Sequence, residues 1–143
     1  MSVSLRPITK ENYEAVCELE VSEEQEQYVA CNMWSLVEAN FNEDYETRAI
    51  YLENVPVGFF MWTRQPLSKI SIWRFMIDQK YQKRGIGRIA LGLAINEIKK
   101  LDGLKSIEIC YNPKNLVAKA FYCSLGFIEI GMDGDDMFAA ITI

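Results

Sequence analysis

The sequence predicts an α/β fold, with helices packed around one mixed β-sheet, and three observations carry that expectation. Runs rich in β-branched and aromatic residues recur at strand length, and runs with apolar residues at i, i+3, i+4 and i+7 recur at helix length. They alternate in the order β-α-α-β-β-β-α-β-α-β-β, whose central strand, helix, strand succession calls for a mixed sheet. At 143 residues, 50% of them apolar or aromatic, the chain has the length of one domain, residues 1–143, and enough apolar surface to build its core.

Ser4 to Ile8 reads as a short first strand, after which Thr9 caps a helical stretch carrying Tyr13, Val16, Cys17 and Leu19. Ser22-Glu23-Glu24-Gln25 forms a capping box, in which Gln25 reaches back to the start of the helix. That helix carries Tyr28, Val29, Met33, Leu36 and Val37 and ends near Asn40. Arg48 to Leu52 and Val57 to Thr63 flank Glu53-Asn54-Val55-Pro56 as antiparallel strands, and Ser68 to Ile77 is a third. Gly85 to Leu101 is helical, with Leu91, Ala94, Ile95 and Ile98 on one face. Lys105 to Cys110 alternates Ile107 and Ile109 with polar residues, as a strand does. Asn115 to Leu125 is a helix whose face is Ala118, Phe121, Tyr122 and Leu125, stopped by Gly126. Phe127 to Met132 and Met137 to Ile143 close the chain as a hairpin around Asp133-Gly134-Asp135-Asp136.

Composition excludes several chemistries. The chain has no histidine, and its cysteines, Cys17, Cys31, Cys110 and Cys123, form no Cys-x-x-Cys pair, so neither a structural zinc site nor histidine catalysis is expected. A net charge of −5 argues against general nucleic-acid binding and leaves cationic small molecules as partners. The longest apolar run, Ile86 to Ile98, is too short to cross a bilayer, and the N-terminus has no signal-like apolar segment. No membrane partner and a cytoplasmic location are the default expectations.

The stretch Gln82-Lys83-Arg84-Gly85-Ile86-Gly87-Arg88 lies between a strand and a helix. Free backbone N–H groups converge at such a helix start, the positive end of the helix dipole adds to them, and Lys83, Arg84 and Arg88 bring three cations. That is a place to hold a phosphate, although a Gly-x-Gly between strand and helix also serves as a plain tight turn. The Gly-x-x-x-x-Gly-Lys-Ser/Thr pattern of nucleotide-binding phosphotransferases is absent. A second constellation follows about thirty residues later, around Asn115 to Phe127.

Together the two resemble the GNAT superfamily of acyl-CoA N-acyltransferases. The superfamily pattern Gln/Arg-x-x-Gly-x-Gly/Ala is matched by Gln82, Gly85 and Gly87. Its later element, Asn-x-x-Ala-x-x-Phe/Leu-Tyr with Leu-Gly-Phe, is matched by Asn115, Ala118, Phe121, Tyr122, Leu125, Gly126 and Phe127. Within it, Val21 to Gln25 with Val29, Ala30 and Asn32, and Ile72 to Asp78, look like bacterial spermine/spermidine acetyltransferases. The resemblance implies a mostly antiparallel twisted sheet flanked by about four helices, acetyl-CoA as co-substrate, no metal, and a homodimer through the closing hairpin.

It also implies roles. Backbone N–H groups of Lys83, Arg84, Gly85, Ile86, Gly87 and Arg88, following Gln82, would cradle the coenzyme A pyrophosphate, while Phe75, Met76 and Ile77 would run beside the pantetheine arm. The N–H of Met76 or Ile77 would polarise the thioester carbonyl. Tyr122 would protonate the departing thiolate, and Asn115 would cap its helix and contact the cofactor. The acceptor amine must lose a proton, since an alkylammonium is only about one part in a thousand neutral near pH 7.4. Without histidine, a carboxylate acting through water is the expected base, from among Glu18, Glu20, Glu23, Glu24 and Glu26. A small cationic amine would be held by Glu18, Glu24, Asp133, Asp135 or Asp136 and by the rings of Tyr28, Trp34, Trp62 or Trp73. Arg74 would pair with a site carboxylate or point to solvent. The favoured acceptor is spermine or spermidine. The alternatives are an aminoglycoside-like amine, a protein N-terminus or lysine, and a non-catalytic acyl-CoA-binding regulatory module.

Overall fold

A computed structural model of the chain describes residues 1–26, 28, 31–66 and 68–143. Among these residues seven strands, β1 (Val3–Arg6), β2 (Tyr45–Leu52), β3 (Val55–Gln65), β4 (Lys69–Ile77), β5 (Ser106–Tyr111), β6 (Ile128–Asp133) and β7 (Asp136–Thr142), join in one sheet. Their order is β1-β2-β3-β4-β5-β7-β6. The β4–β5 pair is parallel and the others are antiparallel, so the sheet is mixed but mostly antiparallel. Helices α1 (Tyr13–Glu18), α2 (Glu23–Glu26), α3 (Asn32–Asn40), α4 (Ile86–Ile98) and α5 (Leu116–Ser124) flank it.

Two apolar layers hold these parts together. On one face α4 and α5 lay Ile86, Leu91, Ile98, Phe121 and Leu125 over Ile50, Phe60, Ile70, Ile107 and Ile109. On the other, α1 and α3 set Val16 and Leu36 over Ala49, Tyr51, Phe59, Met61 and Met76. Covered on both faces, β3 is buried without interruption from Val57 to Thr63, a pattern that alternation alone does not produce.

Three local expectations are corrected. Thr9 is not the cap of α1: Asn12 holds that position, with its side chain directed away from the helix. Its Oδ1 accepts from the Thr9 N–H (2.7 Å), and its Nδ2 donates to Pro7 O and the Tyr51 hydroxyl (both 3.1 Å). Asn12→Ala should therefore cost about 2–3 kcal/mol in urea unfolding, and Thr9→Ala less than about 0.5 kcal/mol.

The single helix expected from Ser22 to Asn40 is two. Tyr28 sits in a turn, its N–H donating to Gln25 O (2.9 Å), and Cys31 is extended. Asn32, buried, donates to Val16 O (2.8 Å), so α3 starts where it can dock on α1. Val29 and Ala30, expected in that helix, lie outside the described residues. The helix count rises from about four to five for this reason. Finally, the β2–β3 turn is Glu53-Asn54 alone, because Val55 and Pro56 already pair with Leu52 and Tyr51.

Candidate active site

The sheet opens where β4 leaves β5. The two pair only from Lys69↔Ser106 to Ile72↔Ile109. On the other side of β4, Trp62 pairs with Ile72 and Met61 with Arg74, so Trp73 is the extra residue of a bulge that turns the strand away. Asp78 N–H donates to Val57 O (2.7 Å) on the β3 side. By the two-residue alternation of a strand, Met76 N–H also faces β3, while those of Phe75 and Ile77 face the open edge. Of Met76 and Ile77, the two residues whose N–H the resemblance offers to a thioester carbonyl, only Ile77 turns that N–H to the open edge.

At the end of that edge the chain turns into α4. Asp78 caps the 3-10 turn Gln79–Tyr81 by accepting from Lys80 N–H, and Lys83 adopts a left-handed φ of 64°. Gly85, at φ 82°, is the N-cap of α4, a conformation that a side chain would strain. Among the described residues no side chain caps this helix, so its first-turn N–H groups lie without a side-chain acceptor between the exposed Lys83, Arg84 and Arg88. Ile86 instead points into the core. Arg84 lies over the Tyr81 ring at 5.4 Å, and Arg88 donates to Ser124 Oγ (2.7 Å).

Between β4, β5 and α5 lies a cleft of about 450 Å³, lined by Trp73, Arg74, Phe75, Cys110, Tyr111, Asn115 and Tyr122, and also by Glu26 and Tyr28. Asn115 caps α5, its side chain accepting from Ala118 N–H at 3.2 Å. Tyr122 stacks on Tyr111 with ring centres 6.0 Å apart and meets Phe121 and Phe127 edge-on at 5.3 and 5.8 Å. Burial first, and then the neighbouring Cys110, raise the Tyr122 pKa far above that of an ordinary tyrosine. Burial, seconded by the Glu129 charge, pushes Tyr111 up to about 12. Both hydroxyls therefore hold their protons at neutral pH.

A second opening of about 610 Å³ lies on the half of the sheet that α1 and α3 leave uncovered, and it shares Ile72, Trp73, Arg74 and Cys110 with the first. Its charged lining is Lys69, Arg74, Glu108, Asp133 and Asp136. Glu108, only 7% exposed, pairs through one oxygen with Lys69 Nζ at 3.3 Å. The thiol of Cys110 sits at the junction, its pKa raised by burial, then by Asp136 and Glu108, against a lowering from Arg74. Arg74 reaches Glu38 of α3 at 3.5 Å and its own neighbour Trp73 O at 3.1 Å, while its buried Nε has no hydrogen-bond partner among the described residues.

Glu108 and Cys110 escaped the sequence reading because they are the polar members of the Ile107/Ile109 alternation, which reads as a solvent face. Of the acceptor-side candidates, Tyr28 lines the cleft, Asp133 and Asp136 line the groove, and Trp73 lines both. Glu18 ends α1 and Glu24 lies in α2, both exposed, and Trp34 is 65% exposed on α3; none of the three lines either opening. Trp62 is core, stacked on Phe60 at 5.2 Å. Among the described residues, no cluster of three histidine, cysteine or carboxylate groups could hold a metal, and no helix is long and apolar enough to cross a membrane.

The Acetyltransferase (GNAT) family model matches residues 13–127. The chain is 28% identical over 134 residues to the spermine/spermidine N(1)-acetyltransferase of Bacillus subtilis (strain 168), covering 89% of this chain and 88% of that protein. It is 31% identical over 77 residues to the ribosomal protein bS18-alanine N-acetyltransferase of Escherichia coli (strain K12), covering 54% of this chain and 51% of that one. In three dimensions it resembles spermidine N-acetyltransferase from Vibrio cholerae in complex with CoA and spermine, with a TM-score of 0.78, 14% identity, and coverage of 98% of this chain and 95% of that one.

Proposed function

The chain belongs to the acetyltransferase (GNAT) family and is an acetyl-CoA-dependent N-acetyltransferase, and from that premise we propose that its acceptor is a primary amine of a small polycation such as spermine or spermidine. The observation that carries this reading is the junction of the two openings: a groove whose carboxylates outnumber its cations, with Glu108 paired to Lys69, meets the Tyr122 cleft at Trp73, Arg74 and Cys110. Asp133 and Asp136, with the second oxygen of the Lys69-paired Glu108, present carboxylates along a groove, which suits ammonium groups spaced on one chain. The polyamine relative supports the same acceptor.

The residues fit coenzyme A. The uncapped N–H groups at Gly85 to Arg88, with Lys83 and Arg84, suit its pyrophosphate, and the free edge of β4 at Phe75 and Ile77 suits the amide-bearing pantetheine arm. When bound, acetyl-CoA supplies an activated acetyl thioester to the amine. Ile77 N–H is placed to polarise a carbonyl at the open edge. Glu108, on the groove floor, is placed to hold the ammonium and to take its proton through water. Tyr122 keeps a proton to give to the leaving sulfur.

A peptide amine is the second reading. The unpartnered Nε of Arg74 at the meeting of the openings suits an acceptor with a carbonyl or carboxylate near its amine. A steady-state panel of spermine, spermidine, an alanine-terminated peptide and a lysine peptide separates the two. Polyamines should give the highest kcat/KM, and Glu108→Gln should lower it at least ten-fold without altering coenzyme A binding. Turnover of the alanine peptide alone would transfer the assignment to the second reading.

A further inference from the structure

Two motifs that look independent in the sequence form one network. Gln82 opens the cofactor loop and Gln25 closes the capping box of α2, 57 residues away. Gln82 Nε2 donates to Ile77 O (2.8 Å) and to Gln25 Oε1 (2.9 Å), which commits both of its hydrogens. The same Gln25 oxygen receives Ser22 N–H at 3.4 Å. Beside it, the buried Asp78 accepts from Glu20 N–H (2.9 Å) and Lys80 N–H (3.1 Å), and Gln79 N–H donates to Glu20 O (2.8 Å). Residues 20–25 are thus fastened to residues 77–82 along their length.

These two segments face different ligands. Residues 77–82 lead into the proposed phosphate cradle, whereas α2 carries Glu26 and precedes Tyr28, both of which line the same cleft as Tyr122. We infer that Gln25 and Gln82 are positioning residues that couple the two: ordering of the loop by coenzyme A sets α2, and with it the acceptor-side wall. Val21 anchors the start of this segment on the core, but α2 itself is a four-residue helix with no buried side chain to hold it. At α2 the coupling runs through the Gln25–Gln82 hydrogen bond, and it must be reciprocal.

The inference rests on the placing of coenzyme A on residues 82–88, so the test reads the two separately. Amide hydrogen exchange would be followed in peptides covering residues 20–26 and 82–90, with and without saturating coenzyme A. In the parent protein both regions should slow, the first on the order of five-fold. Gln25→Leu should abolish slowing in residues 20–26 while 82–90 still respond. Gln25→Glu, which keeps an acceptor oxygen for Gln82, should restore it. In turnover, Gln25→Leu should raise the spermidine KM on the order of five-fold with kcat within about two-fold. Protection of 82–90 without protection of 20–26, or slowing that survives in Gln25→Leu, overturns the coupling alone. No protection anywhere overturns the cofactor placement as well.

Discussion

Tyr122→Phe should lower kcat by about 10²-fold or more while coenzyme A affinity stays within about two-fold. The ring carries the packing, against Tyr111, Phe121 and Phe127, and phenylalanine keeps all three contacts. What is lost is one proton at the cleft, and a loss of 10²-fold corresponds to about 2.7 kcal/mol of barrier. A kcat within about three-fold of the parent's, measured with saturating substrates, would remove Tyr122 from the acid role. The pH dependence is a second check. Burial raises this pKa, so activity should not fall between pH 7 and 10 through loss of the Tyr122 proton. Stability follows the same sign: the phenols of Tyr122 and Tyr111, both with raised pKa values, contribute fully below the unfolded value near pH 10. That contribution is lost as the pH rises toward their folded values, because the unfolded chain then binds fewer protons.

Gly58→Ala should destabilise the protein by about 3 kcal/mol, lowering Tm by roughly 10 °C. Gly58 sits on β3 opposite Ile77, and an added Cβ would lie 2.5 Å from Met76 O, 2.9 Å from Ile77 Cδ1 and 3.1 Å from Ile50 Cδ1. The two isoleucine tips can rotate away, but the carbonyl belongs to the backbone of β4. Relief requires β3 and β4 to part beside the free edge of Phe75 and Ile77, so coenzyme A binding should weaken as well. Gly92→Ala supplies the control, since its Cβ would meet nothing within 4 Å in the interior of α4. There the same substitution should stabilise by about 0.5–1 kcal/mol, because alanine loses less backbone entropy in a helix. Thermal unfolding of both variants gives opposite signs if the close approach at Gly58 is what limits that position; equal, small changes would refute it.

The parts of the site legible in the sequence are those whose chemistry is local. Asn115 caps α5 through an amide three residues on, and Gly85 turns the chain by its own dihedral angle. Tyr122 lies on the helix face that its spacing from Ala118 and Leu125 predicts. The groove around Glu108, proposed above for the acceptor, was not legible by the same means. Glu108 gains its setting from Ser71 on one neighbouring strand and Ala140 on the other, and Asp136 approaches Cys110 only because β7 pairs with β5. The helices before β2 failed for a related reason: Asn32 is drawn to Val16 O, a tertiary bond that outweighs the helical periodicity of residues 28–37.

Order of the strands along the chain, mixed-sheet class and the Gly85 turn into α4 were written in intervals of a few residues, within reach of hydrogen bonds that close one turn or one strand repeat. The bulge at Trp73, the parting of β4 from β5, and the strut from Gln82 to Gln25 were not. Each depends on the register between segments far apart in the chain. That register is set by burying two apolar layers at once, a condition that no single window of sequence contains.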